Sequence, residues 1–302
     1  MELRNRLSEY LVDLKERRRV SSGTERSYLA DLTDFLSFLE RHGVDSAEAL
    51  KARHLTAYIN AMRAQGRSSS TIARRIVALR SFCKYLVLQR AVETDPTLHL
   101  EAPRAEKKPP KTIRAGEMDK LLELPDVGQP TGIRDRAMLE LLYATGLRVS
   151  ELAALDVDHV RLDMGFLLCL GTGGRERMVP VGAGGNRWVS KYVQEVRPIL
   201  LRKSHPDGAL FLNQHGARLT RQGIWKVLKK YAGQLGMDAT PHTFRHSFAS
   251  HLLENGADLR AVQEMLGVAS AASLQPYLTS VKPRITDVYE RNHPRAGAKP
   301  GT

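Results

Sequence analysis

"PHTFRHSFASHLLENGADLRAVQEMLG", residues 241–267, reads as two helices, one around 242–254 and one at 258–266 that stops at Gly267. Glycine just past a helix takes the left-handed conformation without steric cost, which is why it ends helices. In the first helix His242 and Arg245 stand three residues apart and share a face, and His246 lies within the same turn. Three groups able to carry positive charge either repel one another there or face something strongly negative. Zinc is poorly served: His242 and His246 are four apart, but no Glu lies between them and no ligating Cys is near. A guanidinium on the same turn would also repel a cation. Taken alone, this stretch fits a buried, satisfied histidine beside a surface arginine better than a phosphate site.

A second stretch tips the balance. "GIRDRAMLELLYATG" (132–146) reads as a helix capped by Gly146, and "ATGLRVSEL" (144–152) places Arg148 just beyond that cap, at the start of the next helix. Backbone rather than side-chain reach positions such an arginine, and Glu151 at i+3 can orient its fork. Two arginines and a histidine suit a phosphodiester: guanidinium binds phosphate oxygens bidentately and keeps its charge at any relevant pH. Stabilising the added charge on a five-coordinate phosphorus is the main task in phosphoryl transfer. Between these stretches, "FLLCLGTGGRERMVPV" (166–181) reads as a β-hairpin with glycines in its turn, and helices follow at about 186–201 and 220–234. This half of the chain is mixed α and β.

The other half is helical throughout. Residues 3–18, 24–42, 52–65 and 69–90 each carry apolar residues at three- and four-residue steps. In the last, Ile72, Ile76, Leu79, Cys83 and Leu86 form one stripe, with Arg74, Arg80 and Lys84 on the far side. "EAPRAEKKPPKTI" (101–113), with prolines, lysines and no apolar periodicity, reads as an exposed linker. From Ala49 to Val92 there are nine basic residues, Arg75 among them, and no Asp or Glu. A face with one sign of charge forgoes i,i+4 pairs and repels itself unless phosphates neutralise it. Arg74, Arg75, Arg80 and Lys84 are therefore the expected contacts to a nucleic-acid backbone.

Composition agrees. Across 302 residues the net charge is +13, and 42% of residues are hydrophobic, enough for about two cored domains and a polyanionic partner. Two cysteines, Cys83 and Cys169, sit one in each half within apolar runs; this is no disulfide framework and suits a reducing cytoplasm. The charged stretch "MELRNRLSEYLVDLKERRR" is not expected to be a signal peptide, and no apolar run is long enough to span a membrane.

Together "ATGLRVSEL", "PHTFRHSFASHLLENGADLRAVQEMLG", Tyr277 in "SLQPYLTS" and the ending "VYERNHPRA" resemble the tyrosine recombinases, and within them the Xer branch that resolves chromosome dimers. The resemblance covers nearly the whole chain. It implies a mainly α protein: an N-terminal four-helix SAM-like DNA-clamping domain (1–100), a linker (101–111), an α+β catalytic domain with a small β-sheet (112–293) and a flexible tail (294–302). By the same resemblance, Arg148 and Arg245 hold the scissile phosphate with His242. Tyr277 attacks phosphorus to form a 3′-phosphotyrosyl link, a chemistry that needs neither metal nor ATP. Tyr289 falls in the segment that family members dock on a neighbouring subunit. The implied partners are double-stranded DNA, a homo- or hetero-tetramer on two DNA sites, a second Xer recombinase and a DNA translocase.

Three positions depart from the family. Its hairpin turn carries a lysine between two glycines, where "GTGGRER" (171–177) has Thr172; after "MLG" it has His or Trp, where this chain has Val268; and Pro276 precedes Tyr277. The missing lysine is the expected general acid for the leaving 5′-oxygen, a role worth about 10²- to 10⁴-fold. Arg175 and Arg177 can supply charge there but hardly a proton. The expected function is site-specific strand exchange; the alternatives are a cleavage-impaired structural or regulatory partner of an active recombinase, and a topoisomerase-like or integrase relative.

Overall fold

The computed structural model describes residues 3–17, 20–103, 111–171, 174, 176–201 and 208–268. The chain divides into two compact units, Met1–Lys107 and Lys108–Thr302.

The first unit holds four helices: α1 (Leu3–Glu16), α2 (Ser22–Glu40), α3 (Ala52–Ala64) and α4 (Ser69–Leu88). Serine hydroxyls start two of them. Ser21 and Ser68 accept the backbone N–H of Thr24 and Thr71 at 3.2 Å, satisfying a donor that has no partner inside the helix. Leu3, Leu7, Tyr10 and Leu14 line the buried face of α1, and the stripe expected on α4, from Ile72 to Leu86, is buried along its whole length. Tyr10 joins the two, its ring 5.3 Å from those of Phe82 and Tyr85. Arg74, Arg80 and Lys84 are exposed.

The charge reading of this unit needs correction. The run from 49 to 92 lacks acids in sequence but not in space. Arg74 pairs with Asp31 of α2, and Arg75 pairs with both Asp31 and Asp34. The Tyr58 hydroxyl donates to Asp34 at 2.8 Å. Burial would raise the Asp34 pKa, but hydrogen bonds from Tyr58 and Arg75 hold it below the ordinary value. Arg75, with a side chain only 13% exposed, is a tie between α2, α3 and α4 and does not stand on the outward face expected for a DNA contact. Arg80 also donates to the Leu100 carbonyl at 2.5 Å.

The second unit runs α5 (Ala115–Glu123), α6 (Pro130–Thr145), α7 (Val149–Ala154), β1 (Val160–Arg161), β2 (Phe166–Leu170), β3 (Glu176–Pro180), α8 (Ala183–Lys191), α9 (Arg197–Leu201), α10 (Arg221–Gln234), α11 (Pro241–Glu254) and α12 (Leu259–Leu266). Helix α6 is its axis. Ala137, Met138, Leu139, Leu141 and Leu142 are all buried, and the side they leave open carries the i,i+4 ion pair of Arg136 with Glu140; α5, α8, α11 and β3 pack on the helix. A π turn, Tyr192–Val196, joins α8 to α9, the Arg197 N–H reaching the carbonyl of Tyr192. Pro198, one residue on, offers no N–H, and the widened turn spares its ring the clash with the preceding turn's carbonyl.

The strands form one antiparallel sheet in the order β1-β2-β3, with Leu167 opposite Val179 and Cys169 opposite Arg177. Directly opposed residues point to the same face. Leu167, Cys169 and Val179 are buried, so Arg177 points inward with them, whereas Glu176 and Met178 are exposed.

Candidate active site

The site begins where α6 ends. Gly146 caps that helix at φ 58°, its N–H bonding the Leu142 carbonyl at 3.0 Å. A side chain is excluded twice over: a Cβ here would lie 2.4 Å from Phe248 Cδ1 and 2.9 Å from Leu266 Cδ2. Glycine thus lets the α6–α7 corner press directly on α11 and α12.

Two residues later Arg148 caps α7. Its backbone N–H donates to Glu151 Oε2 at 2.8 Å, and its Nη1 donates to Oε1 at 2.9 Å. One carboxylate therefore aligns both the helix start and the guanidinium. Glu151 is nearly buried at 5% exposure, while Arg148 keeps 29% of its side chain open. Behind Glu151 stands Arg177 of β3, with Nη1 and Nη2 each 3.0 Å from one carboxylate oxygen. Burial pushes the Glu151 carboxyl up, but hydrogen bonds from Arg177 and the Arg148 backbone outweigh it and hold it below the ordinary value. Beside them burial pushes the Cys169 thiol up to about 11, which keeps it protonated and inert.

Arg245 approaches from α11. Thr240 caps this helix, accepting the Thr243 N–H at 3.2 Å, and Pro241 occupies the first turn, where its missing N–H costs nothing. The Arg245 side chain is buried; Nη1 donates to the Gly146 carbonyl at 2.7 Å and Nη2 to the Leu266 carbonyl at 2.5 Å. Arg177 Nε meanwhile donates to the Met265 carbonyl at 2.8 Å. Two guanidinium groups thus hold consecutive carbonyls at the end of α12, where the helix dipole favours cations.

One turn before Arg245, His242 is exposed. Its ring lies edge-on to that of His246, centroids 6.4 Å apart. Burial first, then the charges of His242 and Arg245, push the pKa of the half-buried His246 down. Among the described residues no group of three His, Cys, Asp or Glu gathers as metal ligands.

The structure therefore joins Arg148, Glu151 and Arg177 in one hydrogen-bonded cluster and ties Arg245 to the flanking carbonyls of Gly146 and Leu266, with His242 one turn before Arg245 on α11. Val268 follows the Gly267 cap of α12, its N–H bonded to the Gln263 carbonyl at 3.3 Å. Thr172, Arg175, Pro276, Tyr277 and Tyr289 lie outside the described residues. The inward placing of Arg177 is the feature the motif reading passed over. Alternation in "RERMVP" carried the signal, because Arg177 is in step with the apolar Val179.

Residues 111–284 match the model of the phage integrase family, and residues 7–90 match that of the phage integrase N-terminal SAM-like domain. The chain belongs to the phage integrase family, the tyrosine recombinases. Among the relatives of this recombinase is "Tyrosine recombinase XerD" of Oceanobacillus iheyensis, 43% identical over 293 residues, covering 96% of this chain and 98% of the relative. The protein of that name from Halalkalibacterium halodurans is 44% identical over 295 residues, covering 97% and 98%. In fold the recombinase is similar to the Tn1549 transposon integrase in complex with a circular intermediate DNA (TM-score 0.72, 17% identity, covering 90% of this chain and 94% of that one). It is likewise similar to XerH site-specific recombinase bound to its palindromic difH substrate (TM-score 0.72, 22% identity, covering 94% and 84%). Among the described residues no helix is long and apolar enough to cross a membrane.

Proposed function

We propose that the chain cuts and rejoins DNA at a specific site as a Xer-type tyrosine recombinase, with Arg148, His242 and Arg245 holding the scissile phosphate. One observation carries the residue assignment. The Arg245 guanidinium lies 2.7 Å from the carbonyl of Gly146, two residues before Arg148, so a side chain about a hundred positions away in sequence is tied to the corner that carries Arg148, and His242 is exposed one turn before it on α11.

In the proposed reaction Tyr277 Oη gives up its proton and attacks phosphorus. A 3′-phosphotyrosyl bond forms, the bond from phosphorus to the 5′-oxygen breaks, and that oxygen leaves as a hydroxyl after taking a proton. The phosphotyrosyl bond keeps the energy of the diester, and a 5′-hydroxyl from the exchanging strand reverses the step. The arginines carry the charge that grows on the non-bridging oxygens. With Thr172 at the position of the family's lysine, protonation of the departing oxygen is the slow part of the cycle.

The helical unit, about 1–100, is the DNA clamp, 101–111 the linker and 112–293 the catalytic domain, followed by the tail 294–302. The proposed assembly is a tetramer on two duplexes in the cytoplasm, with copies of itself or a second Xer recombinase and a DNA translocase as activator, serving chromosome dimer resolution. A nicked suicide duplex of the cognate site tests the chemistry. Wild-type protein should become covalently attached and Tyr277→Phe should bind without attaching. A phosphotyrosyl peptide mapped to Tyr289, or no adduct on a site the protein binds, would overturn the assignment.

A further inference from the structure

Resting on that reading of the phosphate site, we propose that Arg177 is a positioning residue for Arg148. It clamps Glu151 from behind, and the clamped carboxylate presents the Arg148 guanidinium to the scissile phosphate. Its guanidinium uses three nitrogens at once, Nη1 and Nη2 on the two Glu151 oxygens at 3.0 Å and Nε on the Met265 carbonyl at 2.8 Å. With 12% of the side chain exposed and strand register pointing it inward beside Cys169, Arg177 is built into the scaffold. Gly267 completes the fit, since a Cβ there would come within 2.9 Å of Arg177 Nη1.

The arrangement has a consequence for orientation. Without Arg177, Glu151 is anchored through Oε2 alone, by the Arg148 backbone N–H at 2.8 Å; its carboxylate can still turn about that contact, and the Arg148 guanidinium, held on Oε1 through one Nη1 contact at 2.9 Å, would turn with it. Engaging both oxygens from a β-strand removes that freedom. The third bond, to Met265, fixes Arg177 itself to the last turn of α12, close to Val268, where the chain sets out toward Tyr277. Lysine cannot replace it, because an ammonium is a point donor on a flexible stem and lacks the planar fork that spans a carboxylate.

The test separates positioning of Arg148 from general support of the fold. The full-length protein and Arg177→Lys are each saturated with the nicked suicide duplex, and covalent attachment is timed in a single turnover. Two substrates are compared, one with the normal scissile phosphodiester and one with a methylphosphonate there, whose neutral phosphorus centre asks little of an arginine. Arg177→Lys should slow attachment to the diester by about 10- to 100-fold, the scale on which misplacing a catalytic group costs rate, and the methylphosphonate by less than about threefold. Because removing one partner of a buried pair risks the fold, Arg177→Met/Glu151→Gln, which removes both charges, is run alongside and should show the same substrate dependence. Equal slowing of both substrates would overturn the proposal and assign Arg177 to the fold or to nucleophile placement. An unchanged rate on the diester would overturn it as well. Failure of the wild-type protein to attach to a bound site would instead sink the functional reading itself, and this inference with it.

Discussion

Gly146→Ala tests the corner on which the whole site rests. An alanine at φ 58° enters the left-handed region, which costs an L-residue with a Cβ about 1–2 kcal/mol. Its Cβ would also stand 2.4 Å from the ring of Phe248 and 2.9 Å from Leu266. Both neighbours are buried, at 6% and 1% exposure, so they move only by disturbing the α11–α12 packing, and overpacking of this kind costs about 1–3 kcal/mol. The sum is about 2–5 kcal/mol. In a unit of this size each kcal/mol lowers the melting temperature by about 2–4 °C, so a drop of about 4–20 °C is expected. Gly165→Ala supplies the reference, for that glycine has φ +72° but nothing within 4 Å of a Cβ. It should show the backbone cost alone, about 2–8 °C. Calorimetry of the two variants and wild type, following the transition of the second unit, measures the difference, which is the clash itself. Equal melting temperatures for the two variants would refute the close packing of α11 and α12 on Gly146. The same substitution should slow covalent attachment, because the Gly146 carbonyl holds Arg245.

Three further outcomes are expected. Lys84→Ala should lower the slope of log DNA affinity against log salt by up to about one unit, whereas Arg75→Met should mainly destabilise the helical unit by removing the buried partner of Asp31; fluorescence titration across salt and thermal unfolding distinguish the two. His246 has its pKa held below 6.5 in the folded protein, so as pH falls the unfolded chain takes up the proton first. Its contribution to stability is present above about pH 6.5 and is lost progressively below that; melting curves from about pH 7.5 to about pH 5 should fall more steeply for wild type than for His246→Gln. Finally, Thr172→Lys should speed attachment on the normal substrate by about 10²- to 10⁴-fold and barely change it on one whose leaving 5′-oxygen is sulfur. Equal rates of the wild-type protein on oxygen and sulfur substrates would refute the missing general acid.

Local backbone geometry was legible from the sequence. The buried stripe of α4, the glycine stops at Gly146 and Gly267 and the hairpin between 166 and 181 all follow from periods and φ preferences that act within a few residues. So does the i,i+3 pairing of Arg148 with Glu151, since one helical turn brings the two together in any fold. Charge pairing did not follow. Arg74 and Arg75 stand in a run without acids, yet Asp31 and Asp34 meet them from a helix some forty residues earlier, and a window along the chain cannot count a neighbour supplied by packing. Arg177 shows the same limit at the site itself. Its residue type suggested charge offered to a substrate, but strand register turns it inward, and burial then demands a partner. Glu151 and the carbonyl of Met265 become that partner only because α7, β3 and α12 converge, and burial makes an unpaired charge too costly for Arg177 to do anything else.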